Sequence, residues 1–327
     1  MRALTFDRIG EPADVLKLTE RPRPDPGPGQ VLVRMTQTAI NPGDFLFVQN
    51  LYPEPKKPVF PGQIAGNHGM GVVEASGPDT SLPVGATVAF SYFDTWSEYA
   101  VVPEPWLIRV PEGFDPDLAS QLVNLVTAWD LVDMARAKAG DWVAVTAGNS
   151  TVAILVAQYA ASRGLRVLSL VRRRGPIDLT TLGTTAVIET EHTANLAEAI
   201  CAATGGADLR AVIDGVGGPA FSILARSLEL GGRAIIYGGL HPEPFELHAL
   251  DVVLRAVEIT NYIYRYFFQP PGPQDATYLQ QLFAVSDYLN LQVPVAAHHP
   301  LEDFRAAIHE TLTRPELGKH FLRMAGA

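Results

Sequence analysis

The sequence predicts an α/β protein in which a β-rich domain is joined to a doubly wound parallel sheet. Up to about residue 115 the chain is rich in Pro and Gly, and its apolar runs are short. From 119 to 267, apolar strands alternate with helices of roughly 10 to 15 residues, the pattern of a parallel sheet covered on both faces. A last apolar strand near the C-terminus is expected to return to the first domain.

The first domain is defined by apolar runs that turn residues separate, which is the pattern of short strands. We expect a partly barrel-like β domain over 1–118, completed by 268–327. The strand-like runs are Val31–Met35, Gly71–Ala75, Ala86–Phe90 and Tyr99–Pro103.

The second domain begins with a helix that Asp115 caps and Pro116 starts, and whose apolar periodicity runs to Met134. Strands are expected at Trp142–Val145, Leu165–Val171, Ala186–Ile188, Arg210–Asp214, Arg233–Tyr237 and Ile259–Tyr264. Helices are expected at Thr151–Arg163, around Leu196–Ala203, and at Ala220–Leu230, where Gly231 and Gly232 end the last one. Two helices and the strand from Lys319 to Met324 follow.

Composition excludes several classes of protein. The net charge of −10 argues against a nucleic-acid binder, which normally shows a basic face. The single cysteine, Cys201, forms no intrachain disulfide and no thiolate metal cluster, which fits a reducing compartment. No signal peptide and no run of about 18 apolar residues is present, so no membrane span and a cytoplasmic location are expected.

The turn after the first strand of the second domain is the expected place for a dinucleotide pyrophosphate. In a doubly wound sheet such cofactors bind at the carboxyl ends of the strands, with the pyrophosphate at a helix N-terminus. Here the turn is Thr146–Ala153, and only Gly148 is a glycine. The glycine fingerprint alone is therefore a weak signal.

Three consecutive arginines, Arg172–Arg174, follow the second strand of this domain. An NAD site places an acidic residue there to bond the ribose hydroxyls. Arginines instead suit a 2′-phosphate, which they bind through charge-assisted hydrogen bonds, so they favour NADPH. A solvated basic turn is the alternative. Glycines also end two later strands, in Asp214–Gly218 and Tyr237–Gly239, where they permit a ligand to approach the backbone closely.

Three segments of the chain carry a family resemblance. The most specific, Asn41–Tyr52, resembles a segment that runs Asn-Pro-Ser-Asp and ends in a catalytic tyrosine at the same spacing. Gly66–Gly71 and Val123–Ala128 resemble two segments that follow it. The chain thus resembles the zinc-free medium-chain dehydrogenase/reductases, above all the mitochondrial-type trans-2-enoyl-thioester reductases, with quinone oxidoreductases next. This implies a GroES-like β-rich catalytic domain and a Rossmann domain.

The resemblance implies roles for individual residues. Tyr52 falls on the proton-donor position and is the predicted catalytic residue, with an aromatic that packs over the pocket mouth as the alternative. The residues expected to bind NADPH are Asn124, Asn149, Ser150, Thr151, Val152, Arg172, Arg173, Arg174, Tyr237, Gly238, Gly239, Leu240, Tyr262, Ile263, Tyr264 and Lys319.

The chain also departs from the family pattern. Thr151 and Ala153 replace glycines of the pyrophosphate loop, His68 replaces a Glu, and Leu125 replaces a Pro. A β-branched residue at 151 is expected to hinder close approach of the backbone to phosphate. No metal site is predicted, because Asn41 stands where the zinc-using branch has a Cys. His68 and the pair His298–His299 lack carboxylate or thiolate partners at ligand spacing.

Five further residues near the motifs have two interpretations each. Asp44 is expected to cap a helix rather than to orient the Tyr52 loop. Lys56 and Lys57 are expected on a solvated loop rather than against substrate phosphates. Trp96, like Phe93, suits either the core or the border of a cleft.

The implied activity is NADPH-dependent reduction of an activated C=C bond in a 2-enoyl thioester or related enone, with hydride to the β-carbon and a proton from Tyr52. An NADPH:quinone or alkenal oxidoreductase and a non-catalytic NADPH-binding protein stay open as alternatives. The expected partners are a small-molecule substrate and a second copy of the chain, paired along the Ile259–Tyr264 edge.

Overall fold

The computed structural model describes residues 1–324, which fold around two main sheets. The strands are β1 (Arg2–Phe6), β2 (Lys17–Glu20), β3 (Gln30–Ala39), β4 (Gln63–Ile64), β5 (His68–Ser76), β6 (Thr87–Ser91), β7 (Tyr99–Pro103), β8 (Ile108–Arg109), β9 (Trp142–Val145), β10 (Arg166–Val171), β11 (Ala186–Glu189), β12 (Leu209–Asp214), β13 (Leu228–Ile236), β14 (Glu258–Asn261), β15 (Val295–Pro300) and β16 (Lys319–Arg323). The helices are α1 (Pro12–Val15), α2 (Pro42–Val48), α3 (Pro116–Ala119), α4 (Leu122–Met134), α5 (Thr151–Ser162), α6 (Leu196–Thr204), α7 (Gly218–Arg226), α8 (Ala249–Val253), α9 (Ala276–Tyr288) and α10 (Phe304–Thr313).

The β-rich half is organised around the ten-residue strand β3, which pairs antiparallel with β5, β7 and β16. The C-terminal strands β15 and β16 pair in parallel and extend this sheet. A smaller three-stranded sheet has the order β2-β1-β4. All four apolar runs that the sequence indicates in the first domain fall on strands of this half, and only Ala86 lies one residue outside its strand, β6.

The second half is a six-stranded parallel sheet with the order β11-β10-β9-β12-β13-β14. The strand order reverses beside β9, because the chain continues first to β10 on one side and later to β12 on the other. Buried side chains of α4, α5 and α9 cover one face, and those of α6 and α7 cover the other. This is the predicted doubly wound arrangement, and in sheets of this kind ligands bind in the crevice at the switch point.

The segment 268–324 divides between the two halves. Strands β15 and β16 belong to the β-rich sheet, and α10 buries Ala307 and Ile308 in the core of that half. Helix α9 instead buries Leu279, Leu282 and Phe283 against the parallel sheet. The chain therefore covers the second half with one more helix before it returns to the first.

Three predicted elements have different bounds. The helix expected over 220–230 ends at Arg226, because Leu228 is fully buried and already begins β13; Gly231 lies in an irregularity of that strand. The helix expected from Asp115 to Met134 is interrupted between α3 and α4. The last parallel strand ends at Asn261, and β15 was not predicted. Among the helices of residues 1–324, none has the length and apolarity needed to cross a membrane.

Candidate active site

A cleft of about 430 Å³ opens where α2 of the β-rich half faces the carboxyl ends of β9, β12 and β13. It brings together residues that lie far apart in the sequence. Thirteen of the predicted site residues line it: Tyr52, Asn124, Ser150, Thr151, Val152, Tyr237, Gly238, Gly239, Leu240, Tyr262, Ile263, Tyr264 and Lys319.

The N-terminus of α5 forms one wall of this cleft. Ser150 caps the helix by accepting a hydrogen bond from the backbone N–H of Ala153, and its side chain also bonds to Tyr237. Thr151 and Val152, in the first turn, line the cleft. Free N–H groups and the positive end of the helix dipole favour a phosphate at this position.

The floor of the cleft consists of two glycines in close contact. A Cβ on Gly238 would lie 2.6 Å from the carbonyl oxygen of Gly215, so no side chain fits there. Beside them Thr146 donates a 2.7 Å hydrogen bond to Asp214, which accepts a further bond from the N–H of Gly217. These contacts fix the ends of β9 and β12 and leave bare backbone for a ligand to approach.

The segment Tyr262–Tyr264 is positioned by a buried carboxylate on α4. Asp130 accepts hydrogen bonds from the hydroxyls of Tyr262 and Tyr278, both at 3.0 Å, and from the guanidinium of Arg265 at 2.8 and 3.2 Å. Sequence analysis missed Asp130, because its partners lie 132 to 148 residues away.

A hydrogen-bonded chain of polar side chains crosses the cleft. The ammonium of Lys319 donates to the side-chain oxygen of Asn41 and to the carbonyl of Ile40, both at 2.7 Å. The amide of Asn124 donates to the same oxygen of Asn41 at 3.2 Å. Burial lowers the pKa of Lys319 to about 8, against the attraction of the Asp44 carboxylate.

Asp44 takes part in capping α2, as expected: it is the third residue of a capping box whose N-cap is Asn41, and it is fully buried. Its carboxylate accepts hydrogen bonds from the backbone N–H of Asn41 at 2.8 Å and from that of Asn67 at 2.9 Å. Burial raises its pKa to about 6, while these bonds and the charges of Lys319 and Lys56 oppose the rise. The cap therefore joins α2 to the strand that carries His68.

Tyr52 is half-buried at the mouth of the cleft, with its hydroxyl against the backbone of Gly43. Its ring packs edge-on against Phe267 at 5.1 Å between centroids. Burial, followed by the nearby Asp44 carboxylate, raises the pKa of the phenol well above its ordinary value of 10. The hydroxyl therefore keeps its proton across the neutral range, as an acid must.

Two basic side chains near Tyr52 are buried. Lys56 is 2% exposed, so the prediction of a solvated loop was wrong for it: its ammonium lies 5.3 Å from the centroid of Phe267 and 3.3 Å from the hydroxyl of Ser91. Burial lowers its pKa to about 8. Burial likewise lowers the pKa of His68 well below 6.5, and its Nδ1 has no partner among the described residues.

The other residues with two interpretations, Trp96, Phe93 and Lys57, also have defined positions in the structure. Trp96 is fully buried in the core of the β-rich half, and Phe93 packs against that core, so the core interpretation holds for Trp96. Lys57 donates a hydrogen bond to the backbone of Asn50.

The remaining predicted cofactor residues lie outside the cleft: Asn149 in the turn between β9 and α5, and Arg172–Arg174 after the end of β10. A second pocket of about 350 Å³ is lined by Asn149, Arg174 and the segment 175–179. Arg174 donates to the carbonyl of Val187 at 3.1 Å. The two other arginines do not line this pocket: Arg173 pairs with Glu191 at 3.3 Å, and Arg172 is exposed.

Comparisons with known proteins agree with this geometry. Residues 27–112 match the family model described as alcohol dehydrogenase GroES-like domain, and residues 151–277 match the one described as zinc-binding dehydrogenase. Mitochondrial enoyl-acyl-carrier-protein reductases are 29% identical in Homo sapiens (99% of this chain, 89% of that protein) and 28% identical in Xenopus tropicalis (95% and 92%).

The solved structures give the same fold. A Bacillus thuringiensis protein described as an NADPH:quinone reductase superposes with a TM-score of 0.86 at 26% identity over 98% of both chains. Escherichia coli quinone oxidoreductase, solved with NADPH, has a TM-score of 0.85 at 20% identity, over 99% of this chain and 100% of that one, and shows the fold. The chain is a medium-chain dehydrogenase/reductase of the enoyl reductase and quinone oxidoreductase type.

Membership of the medium-chain family explains the two halves and fits a nicotinamide cofactor. The α5 N-terminus and the bare glycine backbone at Gly215 and Gly238 form a cradle at the switch point. At the position where the zinc-using branch has a cysteine, Asn41 is instead bonded to Lys319 and Asn124. Its oxygen already serves two donors, so this side chain organises the cleft through hydrogen bonds.

Proposed function

We propose that this oxidoreductase uses NADPH to reduce an activated C=C bond in a 2-enoyl thioester or related enone. The observation that carries the proposal is the Tyr52 hydroxyl, which lies protonated in the same cleft as the α5 N-terminus. The mitochondrial enoyl-acyl-carrier-protein reductases to which the chain is similar support the substrate class.

The cofactor would lie along both pockets. Thr151 and Val152 suit its pyrophosphate, and Tyr237–Gly239 with Tyr262–Tyr264 suit its nicotinamide end. Asn149 and Arg174 line the second pocket, where a guanidinium suits the 2′-phosphate that distinguishes NADPH from NADH. A bound reduced nicotinamide supplies hydride to the β-carbon of the substrate.

The side chains of this chain supply the proton and the electrostatic environment. Reduction places negative charge on the carbonyl oxygen of the substrate and requires a proton at its α-carbon. Tyr52 donates that proton from its hydroxyl. The ammonium of Lys319, held through Asn41 at 2.7 Å, adds positive charge in a poorly hydrated cleft, where charge acts more strongly than in water.

Replacement of Tyr52 by Phe tests the proposal directly. Tyr52→Phe removes the acid but keeps the ring against Phe267, so turnover of an enoyl thioester with NADPH should fall at least about tenfold. Tyr288→Phe, at a tyrosine that is 87% exposed, is the matched control. Unchanged turnover in Tyr52→Phe would remove this residue from the mechanism.

An NADPH:quinone or alkenal reductase is the second candidate, favoured by the Bacillus thuringiensis structure. Quinone reduction does not require the acid at residue 52. A quinone turned over equally by the wild type and Tyr52→Phe, with no turnover of enoyl thioesters by either, would establish this candidate instead. A non-catalytic NADPH-binding protein would show a rise in Tm with NADPH and no oxidation of it by any of these substrates.

We further propose a homodimer that pairs along β14. This strand is the outer strand of the parallel sheet, and Ile259 in it is 38% exposed. An exposed apolar edge of this kind pairs readily with a second copy. Sedimentation should show a dimer that Ile259→Lys dissociates, and a monomeric wild type would contradict the proposed dimer.

The cytoplasmic location stays a prediction.

A further inference from the structure

Three potential metal ligands meet on the β-rich half, and none of them lines the cleft. His299 lies on β15, His320 on β16 and Glu310 on α10. This is the one group of three or more His, Cys, Asp or Glu side chains within residues 1–324 whose ligand atoms all lie within 4.8 Å of one another. Sequence analysis found no carboxylate at ligand spacing from His299, but the fold places one beside it.

The distances within this group suit a tetrahedral ion. Nε2 of His299 lies 3.0 Å from Nδ1 of His320, and Oε2 of Glu310 lies 3.7 and 3.6 Å from these two atoms. Zinc bonds of 2.0–2.1 Å at tetrahedral angles would separate neighbouring ligand atoms by about 3.3 Å. Small shifts of the Glu310 side chain, which is 43% exposed, would complete that geometry.

The surrounding backbone holds the two imidazoles in place. His320 is 1% exposed, and its carbonyl accepts a hydrogen bond from Ile40 at 3.1 Å, so β16 is fixed on the sheet. Parallel pairing of His299 with Leu322 fixes β15 beside it. Nδ1 of His320 is the ring nitrogen that faces His299 and Glu310, while its Nε2 is buried without a partner among the described residues.

We propose that His299, Glu310 and His320 form a Zn²⁺ site with the two imidazole nitrogens and one carboxylate oxygen as ligands. Two histidines and a glutamate are a recognised ligand set for zinc, and water occupies the fourth position on the exposed side of Glu310. The ion would tie α10 to β15 and β16. Because Lys319 precedes His320, the ion would also stabilise the strand that supplies this lysine to the cleft.

The site is tested by metal binding to the full chain after treatment with a chelator. Calorimetric titration with Zn²⁺ should show one equivalent bound, and Co²⁺ should give the visible absorption of a tetrahedral ion. Glu310→Gln and His299→Ala should each weaken binding at least about tenfold, because each removes a ligand. Glu310→Gln changes only a partly exposed side chain, so this variant should keep the fold.

His298→Ala is the matched control. His298 neighbours His299 on the strand but points the opposite way, where it bonds Asp117 at 2.8 Å, so binding should be unchanged. Cys201→Ser controls for binding by the free thiol. A wild type that binds no Zn²⁺, or Glu310→Gln and His299→Ala variants that bind it as the wild type does, would overturn the proposal. Because binding is read without substrate, this result is independent of the proposed reduction.

Discussion

The two ends of the candidate cofactor site are built in opposite ways. At the nicotinamide end, polar groups are buried and bonded to one another, as in the chain from Lys319 through Asn41 to Asn124. At the adenosine end, the predicted clamp consists of exposed arginines on a turn after β10, and one of them is already paired with an acidic side chain.

The difference indicates that the buried end sets the geometry of the reaction and that the exposed end sets the affinity for the cofactor. Buried hydrogen-bonded groups have few alternative positions, so they can hold a reacting atom in place. Exposed arginines change position easily and are screened by salt, so they contribute to binding and cofactor choice instead. We therefore expect substitutions in the cleft to change turnover and substitutions on the turn to change cofactor affinity.

The largest expected effect is at Gly43, where a Cβ would collide with the hydroxyl of Tyr52. Gly43→Ala should reduce turnover of an enoyl thioester about tenfold or more, because it displaces the acid. Alanine favours the helix, so the Tm should not fall. The double variant with Tyr52→Phe should lose no more than Tyr52→Phe alone, since both act through one hydroxyl. Additive losses would mean that Gly43 acts independently of Tyr52.

Replacement of Arg174 tests the adenosine end of the candidate cofactor site. Arg174→Ala should raise the KM for NADPH about tenfold, because it removes a charged hydrogen-bond donor from the second pocket, and leave the KM for NADH nearly unchanged. Steady-state kinetics with both cofactors measures this difference. An equal change for NADH would show that the residue does not read the 2′-phosphate. A fall in kcat alone would reverse the assignment of roles to the two ends.

The burial of Lys56 predicts a pH dependence of stability. Its pKa is about 8 in the folded state and near 10.5 in the unfolded chain, so the unfolded state binds more protons between these values. This residue therefore makes the free energy of unfolding rise with pH in that window, by up to about 1.4 kcal/mol per pH unit. Lys319, whose pKa burial also lowers to about 8, adds a rise of its own in the same window. Lys56→Met should therefore reduce the slope of the free energy of unfolding against pH, and Lys57→Met should leave that slope unchanged. Denaturant unfolding from pH 7.5 to 9.5 measures both, and equal slopes in all three proteins would contradict the burial.

The smallest expected effect is at Arg173. Its partner is Glu191, and both side chains are about half exposed. Arg173→Ala should change the Kd for NADPH by about threefold or less, since an exposed ion pair contributes little and this residue does not line the pocket. Titration of NADPH fluorescence measures it. A loss as large as that of Arg174→Ala would mean that the cofactor separates Arg173 from Glu191 on binding.

At the nicotinamide end, the sequence predicted the residues that line the cleft better than the buried residues that hold them in place. Tyr52 and Lys319 both line the cleft, and motif resemblance identified them. Asp130 was missed and Lys56 was wrongly expected on a solvated loop, because an isolated acidic or basic residue on a helix or loop has the same local pattern whether or not the fold buries it. The predicted end of the helix near Gly231 was wrong for a related reason. A glycine ends many helices, but here the chain has already left the helix, because Leu228 is buried in the core as the first residue of β13.

The sequence by itself determined the two domains, the alternation of strands and helices, and the strand-end turns, because these follow from periodicity and turn chemistry within short windows. Only the tertiary structure decided which charges are buried and which side chains meet. His299, Glu310 and His320 converge through the pairing of β15 with β16 beneath α10, and Tyr262 meets Asp130 across 132 residues. Such contacts depend on how whole elements pack, which no local pattern encodes.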